Sequence, residues 1–97
     1  MRRIEFEPAA RAELLLAQDF YGAISPALGQ RFAQVLAHAV DAIAQSPTTW
    51  PQVSHQLRRY VVKRFPYVVL YRAEGDVVLI VAVAHQSRRP GYWLKRV

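Results

Sequence analysis

Val77 to Ala84 is an unbroken apolar run of eight residues. A bilayer-spanning helix needs about 20 apolar residues, so this run is too short to cross a membrane. Its valine-rich composition and the turn-forming Ala73-Glu74-Gly75-Asp76 just before it mark it as the second arm of a β-hairpin. A strand that is apolar on both faces belongs at the centre of a sheet and needs cover on each side. Any fold for this chain must therefore bury both faces of one strand.

The rest of the chain has to supply that cover. Arg3-Ile4-Glu5-Phe6-Glu7 alternates polar and apolar residues, which predicts a short half-buried strand. Pro8 then stands at the kind of position where a helix starts, since the first turn does not need its N–H. Ala9 to Ile24 is helix-forming: Ala10, Leu14, Ala17, Tyr21 and Ile24 line one stripe, which Leu15 and Leu16 widen. Ser25-Pro26 restarts the pattern with an N-cap and a first-turn proline. Leu28, Phe32, Val35, Leu36, Ala39, Val40 and Ile43 repeat at three- and four-residue intervals until Ser46-Pro47. So tight a junction predicts an antiparallel helical hairpin. Thr48 to Gln56 reads as a loop, Leu57 to Phe65 as a strand carrying arginines, and Tyr67 to Arg72 as the strand before the hairpin turn.

The expected order is β-α-α-β-β-β, an α+β class chain forming a single domain over residues 1–97. A helical hairpin covers only one face of a small antiparallel sheet. The other needs the C-terminal tail, a second copy of the chain, or a foreign peptide. With 53% apolar residues, high for a small soluble domain, part of the surface is expected to be covered by a partner.

Charge is distributed unevenly. Residues 1–50 hold four Lys/Arg against five Asp/Glu, whereas residues 51–97 hold nine against two. The whole chain has a net charge of +6, and its second half is expected to meet polyanions or acidic proteins, or else to form a solvated basic face. The absence of cysteine rules out disulfides and fits a reducing cytoplasm. Met1-Arg2-Arg3 leads into a strand pattern rather than an apolar segment, so no signal peptide is expected.

Four groups of residues could carry chemistry. Arg58 and Arg59, with Lys63 and Arg64, sit on the basic strand. If that strand is continuous, Arg59 and Lys63 share one face and Arg58 and Arg64 the other. They could grip phosphates or acidic side chains, or simply be solvated. Tyr60, Tyr67 and Tyr71 are explained by strand shape preference alone. His85, at the end of the central strand, could shuttle protons or act as hydrogen-bonded scaffolding. In the tail, Arg88 and Arg89 are suited to phosphate or carboxylate, and Tyr92 and Trp93 either meet a partner or fold back onto the open sheet face. Neither His38, His55 and His85 nor the four glycines have the spacing of a metal or phosphate site, so no cofactor and no metal are expected.

Read together and in order, several short motifs give the chain a family likeness. They are Phe6-Glu7-Pro8-Ala9-Ala10 with Glu13-Leu14; Tyr21; Ser25-Pro26-Ala27-Leu28-Gly29; Phe32; Ser46-Pro47-Thr48-Thr49-Trp50-Pro51; Leu57-Arg58-Arg59-Tyr60; Phe65-Pro66-Tyr67; Tyr71-Arg72; Ala82-Val83-Ala84-His85; and Arg89-Pro90-Gly91-Tyr92-Trp93. Over nearly its whole length the chain resembles the RelE/ParE superfamily of bacterial type II toxins. The resemblance implies a helical hairpin on a small antiparallel sheet and a cytoplasmic toxin neutralised by a cognate antitoxin, as a homodimer or a toxin–antitoxin hetero-oligomer, with no membrane partner. RelE-like members cleave mRNA on the ribosome, and that reading would make Lys63, His85, Arg88 and Tyr92 the catalytic set. ParE-like members are thought to inhibit DNA gyrase without catalysis. Val68 and Val69 stand where a RelE-like strand carries arginine, and Gln86 where its tail does. The His85-to-Trp93 ending resembles the ParE-like, plasmid-stabilisation branch, with Arg58, Arg59, Lys63, Arg64, Arg88, Arg89, Tyr92 and Trp93 as the target-binding surface. A remnant that only binds antitoxin is a third reading.

Overall fold

A computed structural model describes residues 2–96; Met1 and Val97, which the single-domain reading includes, lie outside the described residues. The chain runs β1 (Arg3–Phe6), α1 (Pro8–Ile24), α2 (Pro26–Gln45), β2 (Gln52–Ser54), β3 (Leu57–Val61), β4 (Tyr67–Glu74) and β5 (Val77–His85), then a 3-10 helix (Tyr92–Arg96). The five strands form one sheet in the order β1-β5-β4-β3-β2. The α+β class and the helical hairpin are as expected. The sheet differs in two respects. β1 pairs parallel to β5, with Arg3 opposite Val77, so the sheet is mixed. The expected loop 48–56 contains β2, a three-residue edge strand paired antiparallel to β3.

The hairpin forms for the reasons its sequence suggests. Ser25 ends α1 and caps α2, its Oγ accepting the Leu28 N–H at 3.1 Å, with Pro26 in the first turn. The helices touch where both lack side chains. A Cβ on Gly29 would lie 2.8 Å from the Gly22 Cα, so only glycine lets the backbones come this close. Ala10, Ala17, Leu14 and Tyr21 of α1 face the core as expected, but Leu15, Leu16 and Ile24 are exposed and do not widen the buried stripe.

β5 lies between β4 and β1, as its two apolar faces require. One face packs under the helices. Val78, Ile80 and Val83 join Tyr67, Val69 and Tyr71 of β4 and Phe32, Leu36, Ala39 and Ile43 of α2. Tyr21, Phe32, Phe65 and Tyr67 make a cluster of edge-on or tilted rings with centroids 4.9–6.4 Å apart. Opposite the Leu70/Tyr71 step, the β4–β5 register shifts at a bulge in β5 that sends both Val81 and Ala82 to the second face. That face holds Leu57, Leu70, Val81, Ala82 and Ala84, with Val68, Leu79, Tyr92 and Trp93 packed against them. Of the three covers considered for it, the tail supplies one.

β3 is shorter than expected. It stops at Val61, and residues 62–66 make a turn in which Arg64 has the left-handed backbone angle φ +73. Phe65 sets this turn: it is 7% exposed and wedged between Tyr21 and Phe32. The strand alternation that would share Arg59 with Lys63 and Arg58 with Arg64 is therefore broken.

Candidate binding groove

Gly91, at φ +89, turns the chain after Pro90 so that Tyr92–Arg96 runs back along the second sheet face. The backbone there is in the left-handed region, which favours glycine. The 3-10 helix is held by one carboxylate. Glu13 Oε1 accepts from Arg96 Nη1 at 2.9 Å and from the Val83 N–H at 3.0 Å; Oε2 accepts from Tyr92 Oη at 2.5 Å and from Arg96 Nη2 at 3.3 Å. Arg96 Nη1 also donates to the Val81 carbonyl at 3.1 Å.

These bonds solve an edge problem. β1 ends at Phe6, opposite Ile80, so the outer edge of β5 beyond that point has no strand partner. Glu13 and Arg96 occupy the Val83 N–H and Val81 C=O that a further strand would have used. The two side chains are only 14% and 21% exposed, so the pair is largely desolvated and its hydrogen bonds are strong. Burial, together with the bond to Glu13, pushes the Tyr92 phenol up to about 12, and the same carboxylate holds Arg96 more firmly protonated.

Between this tail and β3 lies an open groove of about 410 Å³. Its floor is apolar: Val61, Val68, Leu70 and Ala84. Arg59, Arg88 and Arg89 rim it, with His85, Gln86, Pro90, Tyr92 and Trp93, and no acidic side chain lines it. The Arg88 guanidinium sits over the Tyr92 ring at 4.0 Å from its centroid, which orients an otherwise exposed cation. His85 stands edge-on to Tyr67, ring centroids 5.1 Å apart. Its Nδ1 accepts the Ser87 N–H at 3.0 Å and lies 2.7 Å from Ser87 Oγ. A neutral ring then carries its proton on Nε2.

The groove gathers six of the residues singled out from sequence: Arg59, His85, Arg88, Arg89, Tyr92 and Trp93. Tyr60, Tyr67 and Tyr71 lie in the helix-covered core instead, and three of the basic candidates are elsewhere. Arg58 is on the helix-facing side, donating to the Trp50 carbonyl at 2.6 Å and the Thr48 carbonyl at 3.3 Å, where it braces the loop before β2. Lys63 and Arg64 line a separate hollow against α2. Glu13 and Arg96 were not among the candidates. Their signal was a carboxylate at the 10–13–17 spacing, on the buried stripe of α1, with no cation three or four residues away on the same helix face to balance it. Among the described residues, no group of three His, Asp or Glu could hold a metal ion, and no helix is long and apolar enough to cross a membrane.

The family model described as "ParE toxin of type II toxin-antitoxin system, parDE" matches residues 4–90. The chain belongs to the ParE toxin family. Its relatives include Toxin RelE2 of Caulobacter vibrioides, 33% identical over 88 residues that span 91% of this chain and 99% of that protein. The fold also matches a chain of the chromosomal ParDE toxin–antitoxin system from P. aeruginosa, with a TM-score of 0.75 at 20% identity over 88% of this chain and 96% of that one. The matched region stops at Pro90, so Tyr92, Trp93 and Arg96 lie outside the part of the ParE toxin that the family description covers.

Proposed function

We propose that this ParE-family chain arrests growth by binding, with DNA gyrase as the target and the groove as the contact surface, and that a cognate antitoxin neutralises it in a hetero-oligomer. The observation that carries this reading is the form of the groove. An apolar floor ringed by three arginines and two aromatics suits a protein loop bearing a carboxylate and an apolar side chain. The side chains a ribonuclease would need are divided. Lys63 lies outside the groove, and the Tyr92 hydroxyl is donated to Glu13.

The antitoxin part of the proposal draws on α1. Leu16, Phe20 and Ile24 are 70%, 61% and 61% exposed at successive four-residue steps, an apolar stripe of the kind that packs against a partner's amphipathic segment. Leu16 and Phe20 share a hollow with His85 and Arg88, so a segment seated there would reach the groove rim.

The test is the double variant Arg88→Ala with Arg89→Ala. It is expected to lose growth arrest and inhibition of gyrase supercoiling while still co-purifying with antitoxin. Full toxicity of that variant would remove the groove from the proposal. One observation favours a second reading, ribosome-dependent mRNA cleavage: His85 holds Nδ1 as acceptor and leaves Nε2 at the rim beside Arg88. On that reading His85→Ala stabilises reporter mRNA during induction, and unchanged message decay rejects it.

A further inference from the structure

The turn between β3 and β4 and the middle of α2 enclose a second hollow, of about 240 Å³, lined by Gln34, Val35, His38, Tyr60, Lys63 and Arg64. Neither Lys63 nor Arg64 belongs to any of the ion pairs among the described residues, which join Arg3 to Glu5, Arg72 to Glu74 and Arg96 to Glu13. No carboxylate lines the hollow. Asp41, one turn beyond His38, is engaged by the Gln45 side chain at 3.3 Å.

These cations are not on a loose loop. Phe65 is buried against Tyr21 and Phe32, with ring centroids at 4.9 and 5.1 Å. The Val62 N–H donates to the Tyr67 carbonyl at 2.9 Å, and the Tyr67 N–H to Phe65 at 2.7 Å. Within this fixed turn Arg64 adopts φ +73, a left-handed conformation that residues other than glycine rarely take. The strained turn places Lys63 and Arg64 beside His38 and Gln34, which sit one helical turn apart on α2.

The same turn touches the groove. The Gln86 N–H donates to the Pro66 carbonyl at 2.7 Å, and Gln86 lines the groove rim. Two unbalanced cationic surfaces therefore meet at one end of the sheet, across a single turn. An anion that repeats along a chain can occupy both; an isolated one cannot. The hollow offers guanidinium, ammonium, imidazole and amide donors with no carboxylate among them, the donor types that proteins set against phosphate oxygens. We infer that the hollow at Lys63, Arg64 and His38 is a site for the phosphodiester backbone of a nucleic acid strand, beside and separate from the groove. The inference stands whether the groove binds gyrase or not.

The test uses the full chain and its variant Lys63→Gln with Arg64→Gln. Binding is measured by fluorescence anisotropy over a range of salt, with duplex DNA, single-stranded RNA and polyglutamate as the three probes. The variant loses two phosphate contacts, so its plot of log affinity against log salt is expected to flatten by about 1.8 for the duplex or about 1.4 for the single strand. The nucleic acid showing the change is the source of the phosphate. The variant Arg2→Gln with Arg3→Gln, which removes the same charge elsewhere, should leave the slope unchanged, and polyglutamate binding should be alike in all three proteins. Amide spectra show that each variant is folded. An unchanged slope with both nucleic acids, an equal change in the Arg2/Arg3 variant, or an equal loss for polyglutamate overturns the inference. Gyrase inhibition is read with the Arg88/Arg89 variant, so the failure of one proposal is distinguishable from that of the other.

Discussion

The two faces of the sheet are built differently. Under the helices lie large rings, Tyr67 and Tyr71 on β4 with Phe32 and Phe65 beside them, filled in by Ile43 and Ile80. On the other face the buried residues are smaller: Leu57, Leu70, Val81, Ala82 and Ala84. A single 3-10 helix covers them, and it contains no buried residue of its own. The first face supplies the bulk of the apolar burial and with it the stability. The second stays partly open because short side chains under a narrow cover leave a groove. Stability and the proposed recognition are thus divided between the surfaces of the same two strands.

The largest effect should come from the helix-covered face. Phe32→Ala removes a fully buried ring that packs against three others and should cost about 3–5 kcal/mol in chemical denaturation. A loss below about 1 kcal/mol would mean that this face is not the stronger one. Next is the lock on the tail. Glu13→Ala leaves Arg96 without its carboxylate and the Val83 N–H without an acceptor, worth about 2 kcal/mol at this partial exposure. Exchange of the Val83 amide should quicken about 30-fold, the equivalent of that energy, while the amides of α2 change little. Uniform acceleration would join the two faces into one cooperative unit.

Alkali should loosen both. Tyr71, whose hydroxyl donates to the Pro47 carbonyl, and Tyr92 are each raised to about 12, Tyr71 by burial first and Tyr92 by burial first and then by Glu13. A phenol whose folded pKa exceeds its unfolded value near 10 contributes stability that is complete below pH 10 and is lost as the pH rises through 12. Tyr92→Phe should remove the tail's share of that loss and leave Tyr71's, as read from Trp93 fluorescence in a Trp50→Phe background. Smallest of all, Arg89→Gln on the exposed rim should change stability by no more than about 0.5 kcal/mol. A larger change would show that the rim, too, supports the fold.

What could be read in the sequence depended on how local the cause was. The Ser25-Pro26 cap, the periodic face of α2 and the two-sided run of β5 are set by neighbouring residues, and the structure has them where the pattern put them. β2 escaped because three residues carry no measurable alternation. The end of β3 at Val61 escaped because Lys63-Arg64-Phe65 fits a strand pattern locally, and only Phe65 anchoring to α1 and α2 turns the backbone there. The same limit applied to the site. Tyr92, Trp93 and the arginines were visible as a cluster in the tail. Their partner Glu13 is 79 and 83 positions away from Tyr92 and Arg96, and its role depends on where β1 happens to stop.

That distance between Glu13 and Arg96 bears on the order of events in synthesis. A ribosome making this chain finishes α1 early, yet the groove has no wall until Tyr92 folds back and no clasp until residue 96 has emerged. Products cut between His85 and Tyr92 would keep all five strands and the helical hairpin with its exposed Leu16, Phe20 and Ile24, but not the arginine-ringed groove in its assembled form. Such fragments keep the surface proposed for antitoxin and lack the one proposed for the target, so interrupted translation would make decoys for the antitoxin rather than active toxin.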